Sequence, residues 1–224
     1  MTTTEIRIDI ISDVTCPWCI VGYKKLQQAL SNIPNADKIK IQWQPFALNP
    51  GLPEDGELLL DNLKRKYNMS EQDSLNFANK LKAIGAKFNF EFNIGSDFKM
   101  YDTNNAHVLL HWAQRYNKQT ELKLKLFEYN FSDNKNINDE NVLLAACEEV
   151  GLNLNEAQKA LHDETIIGAV KKEKQLWASA GINSVPSFVF NKKYLVNGAQ
   201  EPEQFIEVIN TLFAEQNQLV TEAE

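Results

Sequence analysis

Residues 12–26 read SDVTCPWCIVGYKKL, and two cysteines three positions apart decide how this chain is read. Upstream, Ile6, Ile8 and Ile10 recur at every second position, the mark of a strand. Downstream, Tyr23, Leu26 and Leu30 recur at intervals of three and four, the mark of a helix. Pro17 suits a first helical turn, where its missing N–H would have had no partner. The pair therefore lies where a strand passes into a helix, with Cys16 close to the N-cap. Free N–H groups and the positive end of the helix dipole stabilise a thiolate there. Cys16 is thus expected to be the acidic, attacking sulfur, with a lowered pKa. Cys19, one turn further in, is placed to resolve a mixed disulfide. Pro17 stiffens the intervening turn, and Trp18 adds an apolar ring without adding positive charge.

At 224 residues the chain can form one elaborate domain or two small ones. Apolar residues at 43% and charged residues at 24% are ordinary globular values and argue against wholesale disorder. A formal net charge of −7, without a basic stripe, argues against nucleic-acid binding. No apolar run approaches a membrane span. The start, MTTTEIRID, lacks the basic and apolar regions of a signal peptide, so a cytoplasmic location is expected. Three cysteines do not make a disulfide framework. In a reducing compartment a close pair is catalytic, redox-sensing or metal-bound before it is a structural staple. Cys147 shares a helical stripe with Leu143, Ala146 and Val150 and reads as a buried spectator.

Further along, Ile39, Ile41 and Trp43 alternate as a second strand, giving a βαβ unit with the first strand and helix. From about residue 57 to 180 the pattern is almost wholly helical. Ser70 and Asp73 form a capping box, Asp102 or Thr103 can cap the next helix, and Asn155 another. A long helix runs from about Asp163 to Gly181. SFVF and YLV then form short strands about a tight turn at Asn191. Pro202 opens a last helix bearing Phe205, Val208, Ile209 and Leu212, and the polar tail after Gln216 is expected to fray.

The other chemical stretch is GINSVPSFVF, residues 181–190. A trans proline opening a strand is the ordinary reading of Pro186, since cis bonds are a minority even before proline. Four segments change its weight: DVTCPWCIVGYKKLQQAL, DTNNAHVLLHWA, GINSVPSFV and YLVNGAQEPEQF, in that order. Together they resemble the thioredoxin-like disulfide oxidoreductases of the DsbA family, and within it the cytosolic FrnE subgroup. The resemblance implies an α/β, thioredoxin-like fold (βαβ…αββα, mixed sheet) with a large all-helical insertion. Its thioredoxin-like domain would be discontinuous, over 1–50 and 170–224, with the inserted helical domain over 51–169. It implies that Pro186 is cis and packs against the CxxC pair, leaving the Val185 backbone free to pair with an extended substrate. It also implies protein or small-molecule thiols and disulfides as substrates, no resident cofactor, and glutathione or a thioredoxin-type partner for electrons. Oxidant, reductase and isomerase share these residues and differ in potential and partners.

Three rival readings compete with this one. CPWC with His107 and His111 would make a two-Cys, two-His zinc set, but 87 residues separate Cys19 from His107. Compact fingers use about a dozen to fifteen. The histidines also lie off the Leu109, Trp112, Ala113 stripe, so a polar helix face is the ordinary reading. The kappa-class glutathione transferases and hydroxychromene-carboxylate isomerases share the architecture but resemble it with a serine in the nucleophile position. Both cysteines are intact here, which favours redox chemistry. A helical domain that holds unfolded chains is the third reading, and no large uninterrupted apolar surface demands it. Asn104 and His107 fall in a matching segment and are candidates for ligand contact, with polar surface preferred.

Overall fold

The computed structural model describes residues 5–221, the side chains of 219–221 excepted. The MTTT start therefore lies outside the described residues. Strand β1 (Ile6–Ser12) runs into helix α1 (Pro17–Ser31), and β2 (Ile39–Pro45) returns parallel to β1, Ile6 facing Ile39. The chain then passes through α2 (Leu59–Tyr67), α3 (Glu71–Ala86), α4 (Asn104–Ala113), α5 (Gln119–Phe131), α6 (Glu140–Glu149), α7 (Leu154–Leu161) and α8 (Glu164–Ser179). Two short strands, β3 (Glu57–Leu58) and β4 (Lys99–Met100), pair antiparallel within this stretch and are an addition to the helical expectation. It closes with β5 (Ser187–Phe190), β6 (Tyr194–Asn197) and α9 (Pro202–Thr221). The main sheet has the order β2-β1-β5-β6, with β5 antiparallel to both neighbours. This is the mixed α/β sheet with inserted helices that the sequence pattern indicates.

Local chemistry sets most of the boundaries. Ser70 and Asp73 exchange side-chain and backbone bonds as a capping box at the start of α3. The β5–β6 turn places Asn191 and Lys192 at positive φ, the conformation a tight hairpin requires. Two expectations shift and one is resolved. The cap of α7 is Asn153, not Asn155, because its side chain accepts the Glu156 N–H. At α4 the N-cap is Thr103, yet Asp102 accepts the Asn104 N–H at 2.8 Å. Helix α9 continues past Gln216 to Thr221, and the preceding residue Glu215 is tied to Lys193 and the Tyr194 hydroxyl at 2.6 Å. The final residues 222–224 lie outside the description.

The apolar interior does not divide at the insertion. One cluster joins Ile8, Ile10, Leu26 and Phe188 of the sheet and α1 to Leu81, Phe98 and Phe131 of the inserted segment. A second lies among α4–α8 and takes in Val14, from the β1–α1 turn. The helix that couples them is α5. Its Gln119 amide accepts the Trp43 N–H at 2.9 Å and donates to the Trp43 carbonyl at 3.0 Å, continuing the ladder along the edge of β2. Thr120 accepts the Trp43 indole N–H at 3.0 Å. Replacing Gln119 with Leu leaves two buried backbone groups of β2 unpaired, each costing about 1–3 kcal/mol. Urea denaturation should show a loss of about 2–6 kcal/mol on that basis; an unchanged midpoint would mean the clamp carries little of the docking.

Candidate active site

Cys16 stands at the N-cap of α1 in extended conformation, with Pro17 at the first helical position. Its amide donates to the Asp13 carbonyl, and the Cys19 amide donates to the Cys16 carbonyl at 3.0 Å. Both thiols are free, and both are buried, Cys16 at 3% exposure and Cys19 at 0%. Only Cys16 of the pair lines the cavity that opens between α1, the inserted helices and the Asn183–Val185 loop. Val185–Pro186 is a cis peptide, and the Val185 carbonyl oxygen lies 3.7 Å from the Cys16 sulfur. Gly22 makes room for this loop, since a Cβ there would meet Phe188 at 3.0 Å and the Pro186 ring at 3.1 Å. Pro17 and Trp18 form part of the cavity rim, both half-buried.

Beneath the pair lies a buried charge cluster. The Lys123 ammonium projects from α5 to within 3.5 Å of the Ser12 carbonyl, and lies 5.4 Å and 5.1 Å from the Trp43 and Phe127 ring centres. Burial pushes its pKa down from the usual 10.5 to about 8, against the pull of Cys19, Asp13 and Cys16. Asp13 accepts the Leu48 N–H at 2.6 Å and faces His107 at 3.8 Å. Burial works against its carboxylate, but His107, Leu48 and Lys123 outweigh it and hold its pKa below the ordinary value. His107 places Nε2 at 2.8 Å from the Phe46 carbonyl, so Nε2 carries the proton. Burial outweighs the pull of Asp13 and lowers its pKa.

The neighbouring Cys19, burial and the nearby Asp13 charge push the Cys16 thiol up. Burial opposes ionisation of Cys19 too, but the neighbouring Cys16 and Ser12 side chains, with the Lys123 ammonium, bring its pKa down. The Ser12 hydroxyl is buried and has no hydrogen-bond partner. The two sulfurs titrate as a pair, losing the first proton easily and the second only with difficulty.

A family model described as the DSBA-like thioredoxin domain matches residues 7–210. The chain belongs to that family. A structure described as a probable DsbA oxidoreductase, SCO1869 from Streptomyces coelicolor, is 29% identical, with a TM-score of 0.88 over 94% of this chain and 91% of that one. The cytosolic disulfide reductase DsbM from Pseudomonas aeruginosa, solved with GSH, is 15% identical, with a TM-score of 0.64 over 93% and 99% of the two chains. A 2-hydroxychromene-2-carboxylate isomerase is 10% identical, with a TM-score of 0.64 over 95% and 98%. These last two likenesses concern the fold alone.

Within this DsbA-like site, Asn104 and His107 do not line the cavity beside Cys16. Asn104 accepts from Lys174 at 2.6 Å and donates to Asp102. His107 is buried rather than on a polar face, because the Phe46 carbonyl gives its ring a partner; His111 pairs with Glu173 at 3.2 Å. Among the described residues no group of three or more His, Cys, Asp or Glu could hold a metal ion. Cys147 is buried, and burial alone pushes it to about 12. The residue sequence reasoning missed is Lys123. Its signal is periodic: Gln119, Lys123 and Phe127 fall on one α5 stripe, so this lysine occupies a core position.

Replacing Lys123 with Met removes the cation nearest the pair, so the first thiolate should appear at higher pH, read by thiolate absorbance. Because the folded lysine's pKa lies near 8 and the unfolded near 10.5, its charged form is disfavoured by folding below 8. Wild-type stability should therefore rise relative to Lys123→Met as pH climbs through that window. A flat difference would contradict the buried, charged lysine.

Proposed function

We propose that the chain is a cytoplasmic thiol–disulfide oxidoreductase working through the CPWC dithiol and a mixed disulfide. The observation that carries this is the buried Cys16–Cys19 pair, with one sulfur on a cavity wall and the other over a lysine ammonium. Access makes Cys16 the attacking sulfur, and the cluster makes Cys19 the seat of charge. As Cys16 attacks a disulfide R–S–S–R′, its proton passes to the Cys19 thiolate. The Cys16–S–R bond forms, the S–S bond breaks and R′–S⁻ leaves. Cys19, deprotonated again, attacks the Cys16 sulfur, expels R–S⁻ and closes the Cys16–Cys19 disulfide. Two electrons pass from the dithiol to the substrate, and the released thiolates take up the protons. The Val185 carbonyl and Pro186 border the sulfur and shape the substrate edge.

Glutathione or a thioredoxin-type dithiol would supply or remove electrons, and no bound cofactor is required. The second reading is the glutathione-dependent isomerase branch, whose fold is shared. Two intact, electrostatically coupled cysteines favour redox work, since isomerisation has no use for Cys19. Zinc binding and chain-holding have no comparable support at this site.

Cys19→Ser should accumulate a Cys16 mixed disulfide with a small disulfide, visible as an intact-mass adduct, while net dithiol oxidation stops. Cys16→Ser should show no adduct and no turnover. An active Cys16→Ser variant would contradict the role assignment.

A further inference from the structure

The cavity beside Cys16 encloses about 360 Å³ and is walled by Trp18, Leu59, Leu63, Phe77, Phe98 and Met100, among others. No acidic, basic or histidine side chain stands among its described lining residues.

We propose that this cavity selects a small-molecule disulfide bearing a compact, uncharged, apolar group. The inference rests on the redox reading above and adds the substrate class. Charged disulfides such as those of cysteine or glutathione would lose solvation of their ions against lining side chains that carry no charge. An apolar group leaves water for those walls. The volume lies near the lower end of the roughly 300–1,000 Å³ usual for small-molecule pockets. Cys16 is only 3% exposed, so a disulfide held in a folded protein cannot reach it without bringing backbone into that space. The balance is that of the dithiol reaction: one disulfide gives two thiols, and the protein closes its own disulfide.

The test is single-turnover oxidation of the reduced full chain, each rate divided by that of the same disulfide with free dithiothreitol. The probes are bis(2-phenylethyl) disulfide, bis(2-hydroxyethyl) disulfide, glutathione disulfide, cystamine and a cystine-containing peptide with apolar flanks. The phenylethyl compound should exceed the hydroxyethyl and glutathione disulfides by about tenfold or more, the scale on which apolar pockets discriminate. Leu59→Asp, at the acid-tolerant start of α2, should cut the phenylethyl-to-hydroxyethyl ratio about tenfold and raise the cystamine rate. Phe77→Ala, at a half-buried wall position, should lower the same ratio and serves if the aspartate variant fails to fold. Equal normalised rates would overturn the pocket assignment while leaving the redox reading intact. A faster peptide would overturn the small-molecule assignment. Oxidation by none of the five would overturn both readings.

Discussion

An ammonium buried beneath two buried sulfurs is the constraint on which the rest of the structure depends. Lys123 is 1% exposed, and its hydrogen-bond acceptor, the Ser12 carbonyl, is a weak one at 3.5 Å. A buried charge is costly unless partners of opposite sign lie close by. Asp13 and the ionisable pair provide them, so the lysine is tolerable only because the dithiol and the β1–α1 turn are where they are. The dependence runs the other way as well. Helix α5 must be held against β2 for its lysine to reach the sulfurs, and the Gln119 and Thr120 bonds to Trp43 do this. The inserted helices are therefore part of the site.

Acidity and access are divided between the two cysteines. Cys19 lies over the cation and beside the Ser12 hydroxyl, shut off from the cavity, while Cys16 lines it. In the proposed reaction, a proton shared between the sulfurs joins the two properties at the moment of attack. The neutral cavity wall suits that proposal, since an incoming apolar group would bring no competing charge to the pair.

What the sequence made legible follows from the range of the forces involved. The β1–α1 passage, the CPWC pair, the Ser70 cap and the β5–β6 turn depend on residues within a few positions of one another, and their periods and turn residues announce them. Pro186 gained meaning from the resemblance to a family, since a proline opening a strand has an ordinary explanation. Lys123, Gln119 and His107 were opaque because their partners lie far along the chain: Ser12, Trp43 and Phe46 are 111, 76 and 61 positions away. His107 reads as polar surface until a carbonyl is seen to receive its N–H. The Cys16 thiol is a further case, pushed up by Cys19, burial and the Asp13 charge. A helix N-terminus is a local feature, whereas the opposing Asp13 charge and the Cys19 sulfur act through the folded site.

In the proposed function, Cys16 and Cys19 form one reversible two-electron couple. The direct measurement is equilibration of the protein in glutathione buffers of graded ratio, followed by acid quench, alkylation and intact mass. The account predicts a single transition between dithiol and intramolecular disulfide, without a dominant one-glutathione adduct. Its midpoint should lie between the reducing and oxidising limits of the fold, about −270 and about −120 mV, and its position sets the direction of electron flow. Cysteines that stay reduced across the whole range, with glutathione bound and unreacted, would contradict it.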